Sequence, residues 1–440
     1  MSTTPSATLI ARTVISQFNK LPAKRKPTIR DNGLREWVPL SGIVAEKDGD
    51  LICLALATGM KCLPASKLCD ANGNAIHDWH AEVLAMRAFN RFLLDECMAS
   101  AQHGQASQVV DVVPPGAGGR PFKIKDNVRL HMYCSEAPCG DASMELIMAT
   151  QDDSSPWDIT PPPAQSQQDT DQQSPSQSSS EATTAILPGR AYFSQLGIVR
   201  RKPGRGDAPP TLSKSCSDKL SLKQCTSLLS SLTSLLIDPS NAYIDSLVLP
   251  SSQYSAPACQ RAFSERMKAL DGSSSWPGGY RFAPFRVETT DEEFAFSRRA
   301  VAGKSPNTAR DEAGTNIKLA PSNLAAVWTG SGVEETVLGG VLQGRRPFEE
   351  KGASSVSRRR MWMAAEEIAI SLSSDWERVQ QCLIGRDERR YQSIKECEIL
   401  AERRLVKQQT RQSALAGWIP NQGDSGFSIS CGVWNSLGSE

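Results

Sequence analysis

The sequence predicts an α/β fold, and three observations predict it. Short apolar runs of strand type alternate along the chain with longer stretches of helical period. Hydrophobic residues make up 39% of the 440 and charged ones 22%, the ordinary usage of a chain that buries a core. The Gly-, Pro- and Ser-rich stretches interrupt this alternation without dividing it, because residues suited to one chemistry lie on both sides of the longest of them. Residues 1–440 therefore read as a single domain carrying surface insertions, with no internal repeat.

Residues 51–57 form a continuous apolar run, suited to a strand buried on both faces, with about fifty residues before it. Residues 81–94 follow as a helix whose broad apolar face is Val83, Leu84, Phe89, Phe92 and Leu93. Residues 100–119 carry Gly and Pro without periodicity and read as loose. In 128–134, Val128, Leu130, Met132 and Cys134 alternate with Arg129, His131 and Tyr133, which is strand period. Pro138 opens a second helix over 140–149. Residues 152–186, rich in Ser, Gln, Asp and Pro and nearly empty of apolar anchors, predict a disordered insertion.

Ser215 stands where an N-cap belongs, with Asp218 three residues on, and a third helix is expected from Ser215 to Ile237. Residues 243–249 read as a strand, and residues 304–315 as another loose stretch. Residues 389–415 predict a basic amphipathic helix that stops at Gly417.

The formal charge of +1 supplies no global field toward nucleic acid or an anionic membrane. Basic residues are nevertheless clumped, at Lys24-Arg25-Lys26, Arg200-Arg201-Lys202, Arg345-Arg346, Arg358-Arg359-Arg360 and Arg403-Arg404 with Lys407. Such runs are ordinarily solvated faces. No span approaches the roughly 18 apolar residues of a membrane helix, and the first residues lack a secretory pattern. The expectation is a soluble intracellular protein of nucleus or cytoplasm, in which the twelve cysteines stay reduced as core residues or metal ligands.

Only four histidines exist, His77, His80, His103 and His131, so a His-containing metal site has few candidates. His80-Ala81-Glu82 lies at the first turn of a predicted helix, behind Asp78 as a cap. Cys139 and Cys216 both stand at predicted helix starts, where the helix dipole favours a thiolate. An imidazole and two thiolates at one sheet edge would hold zinc with its fourth position left for water, and Glu82 beside them would move protons. The competing arrangement is a closed structural zinc site with Cys134 as fourth ligand. His77, His103 and His131 read as structural, and Cys53, Cys62, Cys97, Cys225 and Cys397 as core or incidental residues.

In zinc deaminases the pattern H-x-E is followed by P-C-x-x-C. Here Pro138-Cys139-Gly140-Asp141-Ala142 has alanine in the last place, so the third ligand comes from elsewhere, and Cys216 is the candidate. His80-Ala81-Glu82, Pro138-Cys139-Gly140-Asp141 and Ser215-Cys216-Ser217-Asp218-Lys219, in this order, resemble the three signatures of adenosine deaminases acting on RNA, and more closely those of their eukaryotic tRNA-specific relatives. Similarity at Thr58-Gly59-Met60-Lys61-Cys62 and at Ala416-Gly417-Trp418 extends the resemblance over nearly the whole chain.

That resemblance implies a cytidine-deaminase-like three-layer α/β core with an enlarged helical C-terminal half enclosing inositol hexakisphosphate. It implies contacts to this ligand from Arg87, Lys219, Arg358, Tyr391, Lys395, Trp418 and either Arg403 or Lys407, and a link from the phosphate to the zinc site through Asp78 and Lys219. Met86 stands where relatives that edit messenger RNA have a second arginine. Gly204-Arg205-Gly206 resembles the loop whose central side chain fills the space left by a flipped base. The implied reaction is hydrolytic deamination of adenosine to inosine, at adenosine 37 beside the anticodon of alanine tRNA. With so few residues ahead of the first apolar strand, no double-stranded RNA-binding domain is expected there, which favours a structured tRNA as substrate. No obligatory protein partner and no membrane are implied, and a monomer suffices. Two other function classes compete: a deaminase of other RNA or of free cytidine and nucleotides, and a non-catalytic RNA-binding scaffold.

Overall fold

The centre of the sheet is a hairpin of which the sequence pattern shows only one strand. In the computed structural model, which describes residues 6–115, 119–149, 195–202, 208–270, 276–303, 318–384 and 390–429, the apolar run near residue 51 is the second of two paired strands. The first is Leu40–Lys47, buried almost throughout. Asp48 and Gly49, both at positive φ, turn the chain into Asp50–Thr58. Two such residues are what the twist of a two-residue hairpin demands. The insertion at 152–186, the stretch at 304–315 and the loop Gly204-Arg205-Gly206 lie outside the described residues.

In chain order the strands are β1 (Arg35–Trp37), β2 (Leu40–Lys47), β3 (Asp50–Thr58), β4 (Val110–Val112), β5 (Phe122–Ile124), β6 (Val128–Cys134), β7 (Ile237–Asp238), β8 (Ile244–Pro250), β9 (Arg286–Thr290), β10 (Leu319–Pro321), β11 (Leu324–Thr329), β12 (Glu334–Leu338) and β13 (Val341–Leu342). Eight of them make the main sheet in the order β13-β12-β11-β3-β2-β6-β8-β9. Strands β6, β8 and β9 run parallel to one another, and the remaining neighbours are antiparallel.

Helices cover both faces. On one side α1 (Ala7–Asn19) packs Val14 and Phe18 against Leu40, Val44, Leu56, Tyr133 and Val248. On the other, α2 (Ala81–His103) packs Leu84, Ala85 and Phe89 in one core with Ile43, Ala55, Leu130, Met132 and Cys134. This is an α/β fold in three layers. It explains why the polar-looking face of β6 is also buried: His131 is fully enclosed, held by Ser246 Oγ at 2.8 Å and Glu46 Oε2 at 3.2 Å.

Helix boundaries depart from the sequence expectation wherever a special backbone angle intervenes. Helix α2 continues to His103 and stops at Gly104 in the left-handed region, so part of the loose stretch 100–119 is helical, and β4 lies within it. The helix expected over 140–149 is only a 3-10 turn, Asp141–Ser143, and the single turn α3 (Met144–Met148), because Gly140 has φ 101. The third helix, α4, spans Cys216–Thr226 and ends at Ser227 with φ 56. The leucines beyond it remain in the core through α5 (Thr233–Leu236). Helical spacing is satisfied there by a break that keeps the same residues inside.

The later elements are α6 (Ala256–Phe263), α7 (Arg298–Ala302), α8 (Arg358–Ile370), α9 (Glu377–Leu383), α10 (Tyr391–Glu396) and α11 (Ala401–Ser413). After β13 the described chain has helices and no further strand, from α8 on, later than the expected half. The tail helix is split at Cys397, whose ψ of 152° is extended. Arg404 Nη1 donates to the Lys395 and Cys397 carbonyls at 2.9 and 2.7 Å, which satisfies the acceptors this break frees. Helix α11 ends at Ser413, ahead of Gly417.

Layer contact is closest at Gly42, where an added Cβ would stand 2.5 Å from Val14 Cγ1. Gly42→Ala is expected to lower stability by about 1–3 kcal/mol by overpacking. In urea unfolding, the double variant Gly42→Ala with Val14→Ala is expected to recover part of that loss; no recovery would contradict this packing.

Candidate metal centre

Three separate stretches of chain bring ligands to one point. His80 is the N-cap of α2 with extended angles, and its backbone N–H is accepted by Asp78 Oδ1 at 3.0 Å. The end of β3 seats this start: Ala81 N–H donates to the Gly59 carbonyl at 2.8 Å. Gly59, at φ 135, faces the Trp79 carbonyl so closely that a Cβ would lie 2.2 Å from it. Only glycine fits.

Cys139 lies on the turn after β6, next to Gly140, where a Cβ would stand 2.4 Å from Ser215. That close approach presses the Cys139 turn against the start of α4. Ser217 N–H donates to the Cys139 carbonyl at 3.0 Å, and Cys216 N–H to Cys139 Sγ at 3.3 Å. Ser215 caps α4 as expected, its Oγ accepting from Asp218 N–H at 3.0 Å. The donor atoms of His80, Cys139 and Cys216 all lie within 4.8 Å of one another, with Cys139 Sγ 3.8 Å from His80 Nδ1.

Electrostatics prepare this trio for a cation. A hydrogen bond from Cys216 overcomes burial to hold Cys139 well below the usual thiol range, helped by the Lys202 and His80 charges. Cys216 is pushed up by burial and by the Cys139 charge. At His80, burial and Lys202 favour the neutral ring, but Cys139 and a hydrogen bond with Cys62 outweigh them and raise it to about 10. Glu82, 6% exposed, is raised by burial and then by the Cys139 charge, and it is not among the clustered donors.

Two residues that the sequence pattern does not mark belong here. Lys202, part of a basic run expected to be solvated, is 5% exposed and donates to Cys216 Sγ at 3.1 Å and to Asp78 Oδ2 at 2.9 Å. Its signal is its place between two candidate ligands, which a charge count does not register. Cys62, expected to be incidental, has its donor atom grouped with those of Asp78 and His80. Cys134, the alternative fourth ligand, is pushed well up by burial and joins no donor cluster among the described residues. One nitrogen and two sulfurs, with a carboxyl alongside that is not grouped with them, fit an open zinc site of the catalytic kind.

A profile of the adenosine-deaminase (editase) domain matches residues 55–422. The chain belongs to that family. It is 34% identical over 424 residues to "tRNA-specific adenosine deaminase 1" of Schizosaccharomyces pombe, covering 94% of this chain and 95% of the relative. The proteins of the same name from Saccharomyces cerevisiae and Homo sapiens are 31% identical over 371 residues and 25% identical over 409. These cover 82% of both chains in the first case, and 70% of this chain and 76% of the relative in the second. This editase is accordingly an enzyme that deaminates adenosine.

Behind the editase pocket, Asp78 is the junction between the ligands and a ring of cations. Its carboxylate accepts from Lys202, from Ser213 Oγ at 2.6 Å and from Lys219 Nζ, and the two lysines hold it well below the usual range against the opposing effect of burial. Beyond Lys219 the cations run on through Lys214 and Arg411, which flank Trp418, to Lys407, Arg403 and Lys223. Lys395 and Arg358 each stand over the Tyr391 ring, and Arg358, paired with Asp424 at 3.0 Å, in turn acts on Arg87.

Burial and neighbouring cations lower Lys395 and Lys214 to about 8 and Arg87 to about 10, and push Lys407 and Lys223 far down. The other charges acting on Lys407 are all positive. Lys395, Arg403, Arg404 and Lys407 line a cavity of about 190 Å³. These contacts join Arg87, Arg358, Lys395, Arg403, Lys407 and Lys219 with Lys214, Lys223 and Arg411, three cations that the sequence does not mark. Met86, by contrast, is plain core.

Asp78→Ala leaves two buried ammonium groups without their carboxylate. A loss of about 3–5 kcal/mol is expected in urea unfolding, partly recovered by adding Lys219→Met. A loss under about 0.5 kcal/mol, the size of a surface substitution, would contradict the role given to Asp78.

Proposed function

We propose that this editase is a zinc enzyme that converts adenosine to inosine in tRNA, at adenosine 37 beside the anticodon of alanine tRNA, and that it encloses inositol hexakisphosphate. The observation carrying the first part is the convergence of His80, Cys139 and Cys216 with Glu82 on the same helix turn. His80, Cys139 and Cys216 would hold the zinc, which when bound supplies a water of much lowered pKa. Glu82 takes the proton of the attacking water, which its raised affinity allows, and passes it to the ring nitrogen beside the reacting carbon. The exocyclic amine leaves as ammonia, so adenosine and water give inosine and ammonia.

Burial of Glu82 keeps bulk water from competing for that proton. Lys202, donating to Cys216 and Asp78 together, fixes the thiol end of the pocket. Support for a tRNA substrate comes from the names of the relatives, two of them above 30% identity across more than four-fifths of the chain. Support for the inositol phosphate comes from the clustered cations: Lys219 and Arg358 pair with Asp78 and Asp424, whereas burial and neighbouring cations press on Lys407 and Lys223, and a polyanion would relieve this. Retention of Glu82 speaks against a non-catalytic scaffold.

Glu82→Ala is expected to keep the fold and the zinc, at one ion per chain by elemental analysis, while inosine formation in alanine tRNA falls by at least 10³-fold, the order of a lost proton-transfer group with its desolvated site. Near-normal turnover would remove Glu82 from the chemistry, and uridine from free cytidine would replace the substrate class. Denaturing the purified enzyme is expected to release a hexakisphosphorylated inositol at about one per chain by mass spectrometry. Its absence from active enzyme would overturn the polyanion assignment.

A further inference from the structure

Away from the metal pocket, two cysteines share a cavity of the helical portion. Cys382 sits near the end of α9 and Cys397 at the break after α10; both are half-buried, reduced and packed at the edge of the main core. Their side chains are hydrogen-bond partners. Both thiols line an open cavity of about 420 Å³ together with Arg378, Gln381, Ser393 and Glu398. Neither has a part in the deamination chemistry.

We propose that Cys382 and Cys397 form a reversible dithiol–disulfide pair that reacts with small peptide disulfides, of which oxidised glutathione is the representative. Three features of the site support this. Cys382 and Cys397 face one cavity and are hydrogen-bond partners, so the two thiols are neighbours. The cavity leaves room for one tripeptide half of such a disulfide, and the Arg378–Glu398 ion pair on its wall, at 3.3 Å, offers polar groups of both signs. Cys397 is the attacking group: its contact with Cys382, backbone N–H groups at Leu400 and Ile399 and the charge of Arg404 bring it to about 7 in spite of burial.

The exchange balances without any other oxidant. The Cys397 thiolate attacks one sulfur of the small disulfide, forming a mixed disulfide and releasing one thiolate. The Cys382 thiol then loses its proton and attacks Cys397 Sγ, forming the Cys382–Cys397 bond and releasing the second small thiol. Two protein thiols are oxidised, and one disulfide is reduced to two thiols.

Oxidation would tie α9 to the joint between α10 and α11. Lys395 of the cation ring lies on the same short helix, and Arg404 holds both the Lys395 and Cys397 carbonyls. The cross-link would therefore stiffen one wall of the ring while the metal ligands remain untouched.

The test uses the full chain as purified, with oxidised glutathione at neutral pH, followed by peptide mapping under non-reducing conditions. The expected product is a Cys382–Cys397 cross-linked peptide, lost on adding a dithiol reductant. Cys382→Ser should instead accumulate a stable glutathione adduct on Cys397, at least tenfold above that in the unsubstituted chain. Persistent adducts without the cross-link in the unsubstituted chain, or a cross-link between other cysteines alone, would overturn the proposal. The readout is chemical and independent of deaminase activity, so its failure is distinguishable from a failure of the zinc assignment.

Discussion

The carboxylate of Asp78 is the contact on which the site depends. It accepts the backbone N–H of His80, the N-cap of the helix carrying Glu82, and it is shared by two lysines, one reaching the sulfur of Cys216 and the other facing the cation ring. A buried ion triad of this kind gains little net stability over apolar packing, because desolvation offsets most of the attraction. What it does provide is register. Three segments far apart in sequence converge on the same few ångströms, and a single charged atom pair out of place would move a ligand.

The cation ring is the other electrostatic constraint, and it has the opposite sign of effect. Two like charges about 4 Å apart repel by ~4 kcal/mol at an effective dielectric near 20. The ring also serves the backbone: Arg403 donates to the Thr226 and Leu229 carbonyls at 2.6 Å each, and Lys223 to those of Leu228 and Leu229. Those carbonyls belong to the break after α4. The feature that ends the expected long helix is thus the one that these cations hold in place.

Much of this is legible in the sequence, and the reasons for what is not are physical. Strand β6 can be read to the residue, and α2 from its first residue, because period and capping signals are strong there. His80, Cys139 and Cys216 stand out because each lies beside a residue that shapes the local backbone, respectively Asp78, Gly140 and Ser215. Strand β2 and helix α1 escape the pattern, since Ser41, Gly42 and Glu46 dilute the apolar run of one and the other lies ahead of the first clear strand signal. The α4 and α10 boundaries are overrun because apolar spacing persists across a break when both sides feed one core. Lys202 and Cys62 are invisible for a different reason: their roles exist only in three dimensions, through contacts with Asp78 and His80.

The most direct measurement is X-ray absorption at the zinc edge of the purified, unsubstituted protein. A pocket built from His80, Cys139 and Cys216 gives two sulfur scatterers at about 2.3 Å and two nitrogen or oxygen scatterers near 2.0 Å, one of them solvent. A shell of three or four sulfurs, a shell with none, or no stoichiometric zinc would contradict an open site with two thiolates.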